Sequence, residues 1–141
     1  MKLLIFSDGA ARSNPGPAAA AAILKNTRNE KVGEVTKFLG DMTNNQAEYW
    51  AIFLAIEKTV ELGATELKIF ADSKLAVEQL SKNWKIKNPD LKILAEKIWA
   101  ELAKFENWEI QHVFREKNRE ADALANQILN QKGFPKSAFF G

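Results

Sequence analysis

The stretch ELKIFADSKLAVEQL, residues 66–80, decides the fold class. Residues 66–71 (ELKIFA) are predicted to form a β-strand, and a helix over residues 73–82 follows at once. Asp72 stands between them at the C-terminal end of the strand, where open α/β sheets place their ligands. The stretch therefore predicts an α/β domain with an acidic side chain at one edge of its sheet.

The other predicted elements follow one another along the chain without a linker, repeat or low-complexity tract. Further strands are predicted over residues 2–7, 18–25, 31–39 and 108–114, and further helices over residues 45–62, 90–105 and 119–131. The segment GAARSNPGP, residues 9–17, is predicted to be a loop because it holds two glycines and two prolines. Three strands followed by helix–strand–helix–helix–strand–helix predict a layered α/β domain with a mixed sheet.

Length and composition limit the class of protein. The chain has 141 residues, which makes one domain the default and allows a sizeable core. With 46% hydrophobic and 27% charged residues, the composition is that of an ordinary globular protein, and no apolar run approaches the length of a membrane span. The absence of cysteine excludes disulfides and cysteine-based zinc sites, and a cytoplasmic location is expected. A net charge of +2 is too small to identify a polyanionic partner by itself.

Asp8 and Asp72 are each predicted to end a strand. Asp8 precedes Gly9, so a local turn hydrogen bond is one interpretation of it. The next apolar run begins only at Ala18, however, so a tight hairpin is not expected, and a long loop beside a strand-end acid is a common place for function. Asp72 could cap the following helix, although Ser73 could do so equally well.

Two further acids lie in predicted helices. Glu48 comes three residues after Asn45, which is the spacing of a capping box. The helix around it, AEYWAIFLAI, is apolar on nearly every face, and a buried carboxylate needs a cation, a metal or a proton. Asp122 falls in the first turn of the last helix, after the potential cap Asn118, where it complements the helix dipole. Each acid has a structural explanation of its own, but four such explanations are unlikely to hold together by chance.

Four motifs in the chain resemble those of type 1 ribonuclease H and occur in the same order. They are DGAARSNPGPA at residues 8–18, TNNQAEY at 43–49, FADSKLAVEQL at 70–80 and REKNREADALAN at 115–126. The resemblance covers residues 1–130 and implies a single-domain ribonuclease H-like fold. That fold has a five-stranded mixed sheet, with three antiparallel strands and then two parallel ones, flanked by helices on both sides. Residues 131–141 are then a C-terminal tail that is either packed or disordered.

The resemblance also implies an activity: endonucleolytic hydrolysis of the RNA strand of an RNA–DNA hybrid, leaving 5′-phosphate and 3′-hydroxyl ends. The residues that match the family's catalytic, metal-binding carboxylates are Asp8, Glu48, Asp72 and Asp122. By similarity, Asp8 bridges two Mg²⁺ ions and Asp122 holds the ion that activates the attacking water. Glu48 and Asp72 hold the ion at the leaving 3′-oxygen. Mg²⁺ prefers oxygen ligands, two such ions can flank one phosphate, and Mn²⁺ is expected to substitute.

Contacts to the hybrid are expected from a wider set of side chains. They are Asn14, Thr43, Asn45, Gln46, Trp84, Lys85, Arg115 and Lys117. Amides suit the recognition of a 2′-hydroxyl and of minor-groove base edges, but turn or capping duty is an equal alternative for the asparagines. Thr43 matches a residue of the pocket that grips a DNA phosphate. The family often has a basic residue two positions earlier, and Asp41 in that place predicts a weaker pocket.

The segment SKNWKIKNPDL, residues 81–91, departs from the family pattern because it lacks the basic protrusion that many members carry. Lys82, Lys85 and Lys87 with Trp84 could still contact phosphates and a sugar or base. A solvated linker with one tucked tryptophan is equally compatible with the sequence. Weaker binding of long hybrids, or reliance on a partner domain, is expected in either case.

The loop before the last helix is a second departure. Many family members have a mobile histidine there, whereas His112 alternates with Trp108, Ile110 and Phe114 and is predicted to be a core residue of a strand. In this loop Arg115 suits phosphate geometry better than Lys117 does.

Phe139 and Phe140 are predicted to pack on the core or to be disordered, in preference to forming a weak partner-binding tail. The expected partner is an RNA–DNA hybrid, with no membrane association and a monomeric state. The alternative function is a non-catalytic nucleic-acid-binding module, or a nuclease for another polynucleotide. All four acids are retained, which favours catalysis.

Overall fold

One five-stranded sheet forms the framework of the protein in the computed structural model, which describes residues 1–136. Its strands are β1 (Lys2–Ala11), β2 (Gly16–Lys25), β3 (Lys31–Met42), β4 (Glu66–Ala71) and β5 (Asn107–His112). The helices are α1 (Asn44–Glu61), α2 (Lys74–Leu80), α3 (Pro89–Leu102) and α4 (Arg119–Gln131). The strand order is β3-β2-β1-β4-β5. Strands β1 to β3 pair antiparallel, whereas β4 pairs parallel with β1 and β5, which confirms the predicted mixed sheet.

Helices cover both faces of the sheet. The main core is built between the sheet and α1, α2 and α3, and its buried members include Leu3 and Ile5 of β1 and Ile52 of α1. Helix α4 contributes no residue to that cluster, yet its inner residues Ala121 and Leu129 are fully buried and it contacts β1 and β2. It therefore packs on the opposite face, as predicted.

The alanine run of β2 explains how the two layers come close. Residues 18–22 are all alanine and all buried, so both faces of this strand are covered. Small side chains let helices approach a sheet closely. Because α1 and α4 both contact β2 and its neighbour β1, the helices that carry Glu48 and Asp122 are drawn toward Asp8.

The first connection of the chain differs from the prediction. Strand β1 does not end before Asp8 but continues to Ala11, and residues 9–17 are not a loop. Asp8 pairs with Ala21, and the strands are joined by residues 12–15 alone. The Arg12 amide donates to the Pro17 carbonyl at 2.8 Å and closes the turn. The expectation of no tight hairpin was wrong, because small side chains let residues 8–11 pair although they form no apolar run.

The ends of the elements agree with the prediction for α1 and differ from it for β5. Helix α1 ends as predicted, with Gly63 in a left-handed conformation just beyond it. Strand β5 stops at His112, and Phe114 lies outside it with 71% of its surface exposed. The prediction of a core histidine was wrong: His112 is only partly buried, and its ring packs edge-on against Phe114. The physical reason is that β5 is an edge strand, so its end is only partly covered.

The last described residues pack on the sheet. The Phe134 amide donates to the Leu129 carbonyl at 2.9 Å, and the Phe134 ring stacks on Phe38 with 6.0 Å between centroids. This part of the tail is therefore packed, whereas Phe139 and Phe140 lie outside the described residues. Across residues 1–136 no helix combines the length and the apolarity that crossing a membrane requires.

Candidate active site

The parallel pairing of β1 and β4 brings the first two acids together. Ser7 pairs with Ala71 at the last position of this ladder, so Asp8 and Asp72 follow it on neighbouring strands. Asp72 does not cap the helix after it. The cap is Ser73, whose hydroxyl accepts a hydrogen bond from the Ala76 amide at 3.2 Å. The Asp72 carboxylate therefore remains available to the site.

A close approach of helix α1 to strand β1 supplies the third acid. A Cβ on Gly9 would lie 2.2 Å from the Ala47 carbonyl carbon, so only glycine allows this contact. The Gly9 amide donates to Glu48 Oε1 at 3.2 Å. The capping box of α1 is formed by Thr43 and Gln46, so the alternative in which Glu48 caps the helix was wrong. The start of α1 is buried against the sheet, and only 8% of the Glu48 surface is exposed.

Helix α4 supplies the fourth acid and a buried amide beside it. Asp122 lies in the first turn of α4, as predicted. Asn118 occupies the cap position, but its side chain makes no capping hydrogen bond. Its amide instead donates to the Ser7 carbonyl at 2.7 Å and to Asp72 Oδ2 at 3.2 Å. Asn118 thus ties the start of α4 to both β1 and Asp72.

The four acids line one cleft of about 800 Å³, which we call the acid cleft. Carboxylate oxygens of Asp8, Glu48 and Asp72 all lie within 4.8 Å of one another. Asp122 borders the same cleft from α4. The other polar side chains of its wall are those of Arg12, Asn44, Asn45, Ser73, Arg115, Asn126 and Lys136. The structure thus brings together all four carboxylates that the sequence singled out.

Burial and mutual repulsion make the two inner acids unusual. Asp8 is 4% exposed, and burial, followed by the charge of Glu48, raises the pKa of its carboxyl far above the ordinary range. Burial likewise raises the pKa of Glu48, while its contact with Asp8 and the Gly9 amide oppose this. In contact and without a cation, such a pair retains a proton. The site therefore carries unfavourable charge that a bound cation would neutralise.

The donor set fits a hard divalent cation. Glu48 Oε2 is buried and has no hydrogen-bond partner among the described residues. A buried polar atom without a partner is unfavourable unless an ion or water satisfies it. Carboxylate oxygens are the ligands that Mg²⁺ and Mn²⁺ prefer. Asp8, Glu48, Asp72 and Asp122 are thus the residues suited to hold such ions.

The expected hybrid contacts divide into two groups. Asn45 and Arg115 line the acid cleft, and Arg115 lies near enough to Glu48 for its charge to lower the pKa of that carboxyl. Thr43 and Gln46 are occupied with the capping box. The Asn14 side chain, in the turn between β1 and β2, accepts from the backbone amide of Asn44 at the start of α1 at 3.0 Å.

The remaining expected contacts lie away from the acids. Lys117 is exposed and borders a small separate hollow beside α4. Trp84 and Lys85 line a second groove of about 410 Å³, here called the lysine–tryptophan groove. Its walls are Gln79, Lys82, Asn83, Trp84, Lys85, Ile86, Lys87, Lys92 and Trp99. Trp84 is 45% exposed, so the alternative of a tucked tryptophan was wrong.

Several residues at the acid cleft escaped the sequence analysis. Asn118 drew attention only as a potential cap, and Asn44, Arg12, Asn126 and Lys136 drew none. The hydrogen bonds of Asn118, Arg12 and Asn44 join distant parts of the chain, which local patterns do not reveal. A weak signal did exist for Arg12, which is the only charged residue in the segment GAARSNPGP.

Comparisons with known proteins agree with this geometry. Residues 6–128 match the family described as reverse transcriptase-like. A bifunctional protein of Mycobacterium tuberculosis is 40% identical over 131 residues, which are 92% of this chain and 36% of that protein. Ribonuclease HI of Halobacterium salinarum is 39% identical over 125 residues, or 89% of this chain and 63% of that protein. The chain thus spans about a third to under two thirds of the length of these relatives.

Solved structures give the decisive likeness. The crystal structure of RNase H1 from Halobacterium salinarum superposes with a TM-score of 0.91 at 37% identity, covering 93% of this chain and 99% of that one. The chain belongs to the type 1 ribonuclease H family. A second family member, LC11-RNase H1, was crystallised in complex with an RNA/DNA hybrid. Its TM-score is 0.88 at 32% identity, with 92% of this chain and 98% of that one covered.

Proposed function

We propose that this chain is a ribonuclease H that cuts the RNA strand of RNA–DNA hybrids by metal-dependent hydrolysis. The observation that carries the proposal is the convergence of carboxylate oxygens of Asp8, Glu48 and Asp72 within 4.8 Å, with Asp122 on the same cleft. Family membership and the hybrid bound to LC11-RNase H1 support the substrate.

The chain's own residues define what the site can do. When bound at the four carboxylates, a pair of divalent ions supplies Lewis acidity and lowers the pKa of the attacking water. The Asp8 carboxyl interacts with the side chains of both Glu48 and Asp122, so its oxygens would be available to ions held on either side. Because Asp8 and Glu48 retain a proton without a cation, ion binding releases it. Mg²⁺ is the proposed physiological ion, with Mn²⁺ as a substitute.

Neighbouring side chains would hold the substrate. The guanidinium of Arg115 can bind a phosphate through two parallel hydrogen bonds at the edge of the cleft. The amides of Asn44 and Asn45 border the same cleft and can both donate to and accept from a ribose 2′-hydroxyl. Hydrolysis at the 3′-oxygen side of the phosphate leaves 5′-phosphate and 3′-hydroxyl ends. A cytoplasmic location and a monomeric state stay predictions.

The competing function is nucleic-acid binding without cleavage, or cleavage of another polynucleotide. Glu48 Oε2 is buried and has no hydrogen-bond partner within residues 1–136, which argues against a pure binding module, since such a module has no use for an unsatisfied carboxylate. The raised pKa values of the inner acids argue the same way, because perturbed titratable groups in a cleft are typical of functional sites.

Cleavage assays separate these functions. Labelled RNA–DNA hybrid, single-stranded RNA, duplex RNA and duplex DNA are incubated with the protein and Mg²⁺ or Mn²⁺. We expect cleavage of the hybrid RNA strand, with products that carry a 5′-phosphate. Asp8→Asn and Glu48→Gln should each lower the rate on the order of 10³-fold, because each removes a charged ligand worth several kcal/mol.

A matched control lies on the same helix as Glu48. Glu57 is exposed on α1, so Glu57→Gln removes the same charge without touching the acid cleft and should leave the rate unchanged. An intact hybrid, or an Asp8→Asn variant that cuts as fast as the parent protein, would refute the proposed activity.

A further inference from the structure

Arg12 is one of the largest fully buried side chains in the protein, at 2% exposure. It lies in the turn between β1 and β2, on the wall of the acid cleft. Its Nε donates to the Phe134 carbonyl at 2.6 Å, and its Nη1 donates to Asn126 Oδ1 at 2.7 Å. Its Nη2 donates to the Asn126 carbonyl at 3.3 Å and to Asn130 Oδ1 at 3.0 Å. All these acceptors are uncharged oxygens of α4 and of the segment just after it.

The contact with Arg12 fixes which way the Asn126 amide points. A guanidinium can only donate hydrogen bonds, so the oxygen of the Asn126 side chain must face it. The amide nitrogen must then face the other way. There it donates to the Asp122 carbonyl at 2.9 Å and to Asp122 Oδ1 at 3.2 Å. A continuous line of hydrogen bonds thus runs from Arg12 through Asn126 to the carboxylate of Asp122.

We propose that Arg12 is a positioning residue, which holds the Asp122 carboxylate in place through the Asn126 amide. This inference rests on the proposed function, in which Asp122 holds a divalent ion. Partners that orient a metal ligand typically change metal affinity or activity by about 10–100-fold when they are removed. Without Arg12, the Asn126 amide is free to turn its oxygen toward Asp122 and repel it.

The electrostatic attraction between Arg12 and Asp122 also favours this arrangement. The charge of Asp122 raises the pKa of Arg12 and opposes the lowering caused by burial, so the two groups stabilise each other across Asn126. The other three carboxylates of the cleft, those of Asp8, Glu48 and Asp72, lie in β1, in α1 and directly after β4, which belong to the sheet and the main core. Asp122 alone comes from α4, and the bonds of Arg12 join that helix to the β1–β2 turn.

Metal binding in the absence of nucleic acid gives the most direct test. Mn²⁺ binding to the parent protein, Arg12→Met, Asn126→Ala and the double variant is measured by calorimetric titration. Hybrid cleavage gives kcat and KM for the same proteins. We expect each single variant to weaken Mn²⁺ binding by about tenfold or more and to lower kcat with little change in KM. The double variant should lose no more Mn²⁺ affinity or kcat than Asn126→Ala alone, because both changes interrupt the same series of hydrogen bonds.

Asn130→Ala is the matched control. It removes one acceptor from Arg12 but touches neither Asn126 nor Asp122, so Mn²⁺ binding should stay at the parent value. Asn126→Ala also keeps the buried Arg12 and its other acceptors, so it should fold even where Arg12→Met does not.

Two results would overturn the positioning role. One is an Asn126→Ala variant that binds Mn²⁺ as tightly as the parent protein. The other is a double variant whose loss equals the product of the single losses. Either result, in a parent protein that binds Mn²⁺ and cuts hybrid, rejects only the role of Arg12. A parent protein that does neither rejects the proposed function itself.

Discussion

The acid cleft and the lysine–tryptophan groove are built in opposite ways. The acids come from residues 8–122 and meet only because two strands and two helices pack together, with Asp8 and Glu48 buried. The groove is built from residues 79–99, and most of its polar groups are exposed. In the cleft, the packing of strands and helices and a set of side-chain hydrogen bonds together fix the position of the acids. In the groove, most of the side chains are exposed and lie over a few buried groups.

Hydrogen bonds nevertheless hold the buried groups beneath the lysine–tryptophan groove in place. The buried side chain of Gln79 accepts a hydrogen bond from the Tyr49 hydroxyl at 2.5 Å and donates to the Lys85 carbonyl at 3.2 Å. The Trp99 ring donates to the Leu80 carbonyl at 2.9 Å and carries the Lys82 ammonium over its face at 4.7 Å. Changes in the cleft should therefore abolish function, whereas changes on the groove surface should only adjust affinity.

Gly9→Ala should have the largest effect. The added Cβ meets backbone atoms of Ala47 and Glu48 at 2.2–2.5 Å, so α1 must move away from β1. We expect a loss of about 3 kcal/mol or more in the free energy of unfolding. The rate should fall on the order of 100-fold in the protein that still folds, since a shift of about 1 Å at a catalytic group has this effect. Denaturant unfolding and hybrid cleavage measure the two losses.

Gly33→Ala provides the matched control for that change. Gly33 lies in β3, where an added Cβ makes only an ordinary contact of 3.5 Å with the Leu62 side chain. Both stability and rate should stay close to the parent values. Equal losses in the two variants would show that the contact between Gly9 and α1 has no special role.

The pH dependence of stability should distinguish the cleft from the rest of the surface. The pKa of Glu48 is raised from 4.5 to about 8, and that of Asp8 is also raised. Between these pH values the folded protein therefore binds more protons than the unfolded chain. The free energy of unfolding of the metal-free protein should fall as pH rises through this range, by at most about 1.4 kcal/mol per pH unit for each proton.

Urea unfolding in the presence of a chelator, across the range from pH 4.5 to about 8, measures this slope. Asp8→Asn should flatten it and stabilise the protein at the upper end, because one of the two repelling carboxyls is gone. Mg²⁺ should stabilise the parent protein most at the upper end, where the acids are deprotonated. A parent slope that Asp8→Asn leaves unchanged would mean that the inner acids do not share a proton.

The sequence predicted the elements and the four acids because both leave local signals. Apolar periodicity and glycine positions are local, and they placed all five strands and four helices. Each acid also stood beside a recognisable boundary, as Asp72 does before Ser73. The extension of β1 past Asp8 was missed, because residues 8–11 become a strand only when the alanines of residues 18–21 pair with them.

The supporting network of the cleft had almost no local signal, apart from the single charge of Arg12 in the segment GAARSNPGP. Asn118 reaches the Ser7 carbonyl across 111 positions of sequence, and Arg12 reaches Asn126 across 114. A polar residue whose partner is so distant looks like a cap or a solvated side chain until the fold is known. Chemistry-bearing residues can therefore be predicted from their own neighbourhood, whereas the residues that hold them in place cannot.

The smallest effect is expected at the groove, with Trp84→Ala. Trp84 is 45% exposed beside Lys85 and Lys87, and a nucleobase or sugar stacked on its ring would lose that contact. We expect KM for the hybrid to rise by roughly fivefold, equivalent to about 1 kcal/mol, with kcat and thermal stability unchanged. Steady-state cleavage at several hybrid concentrations separates the two parameters.

Trp108→Ala is the control that makes this result specific. Trp108 is also exposed, at 38%, but it lies near the start of β5 opposite Leu67, at the far end of the sheet from the acids. Its loss should leave KM unchanged. Trp84→Ala could instead lower kcat as strongly as a cleft variant does. The groove would then take part in placing the scissile phosphate, and the contrast between the cleft and the groove would no longer hold. If both tryptophan variants raise KM equally, the effect is one of general surface apolarity, and the groove is not a binding surface for the hybrid.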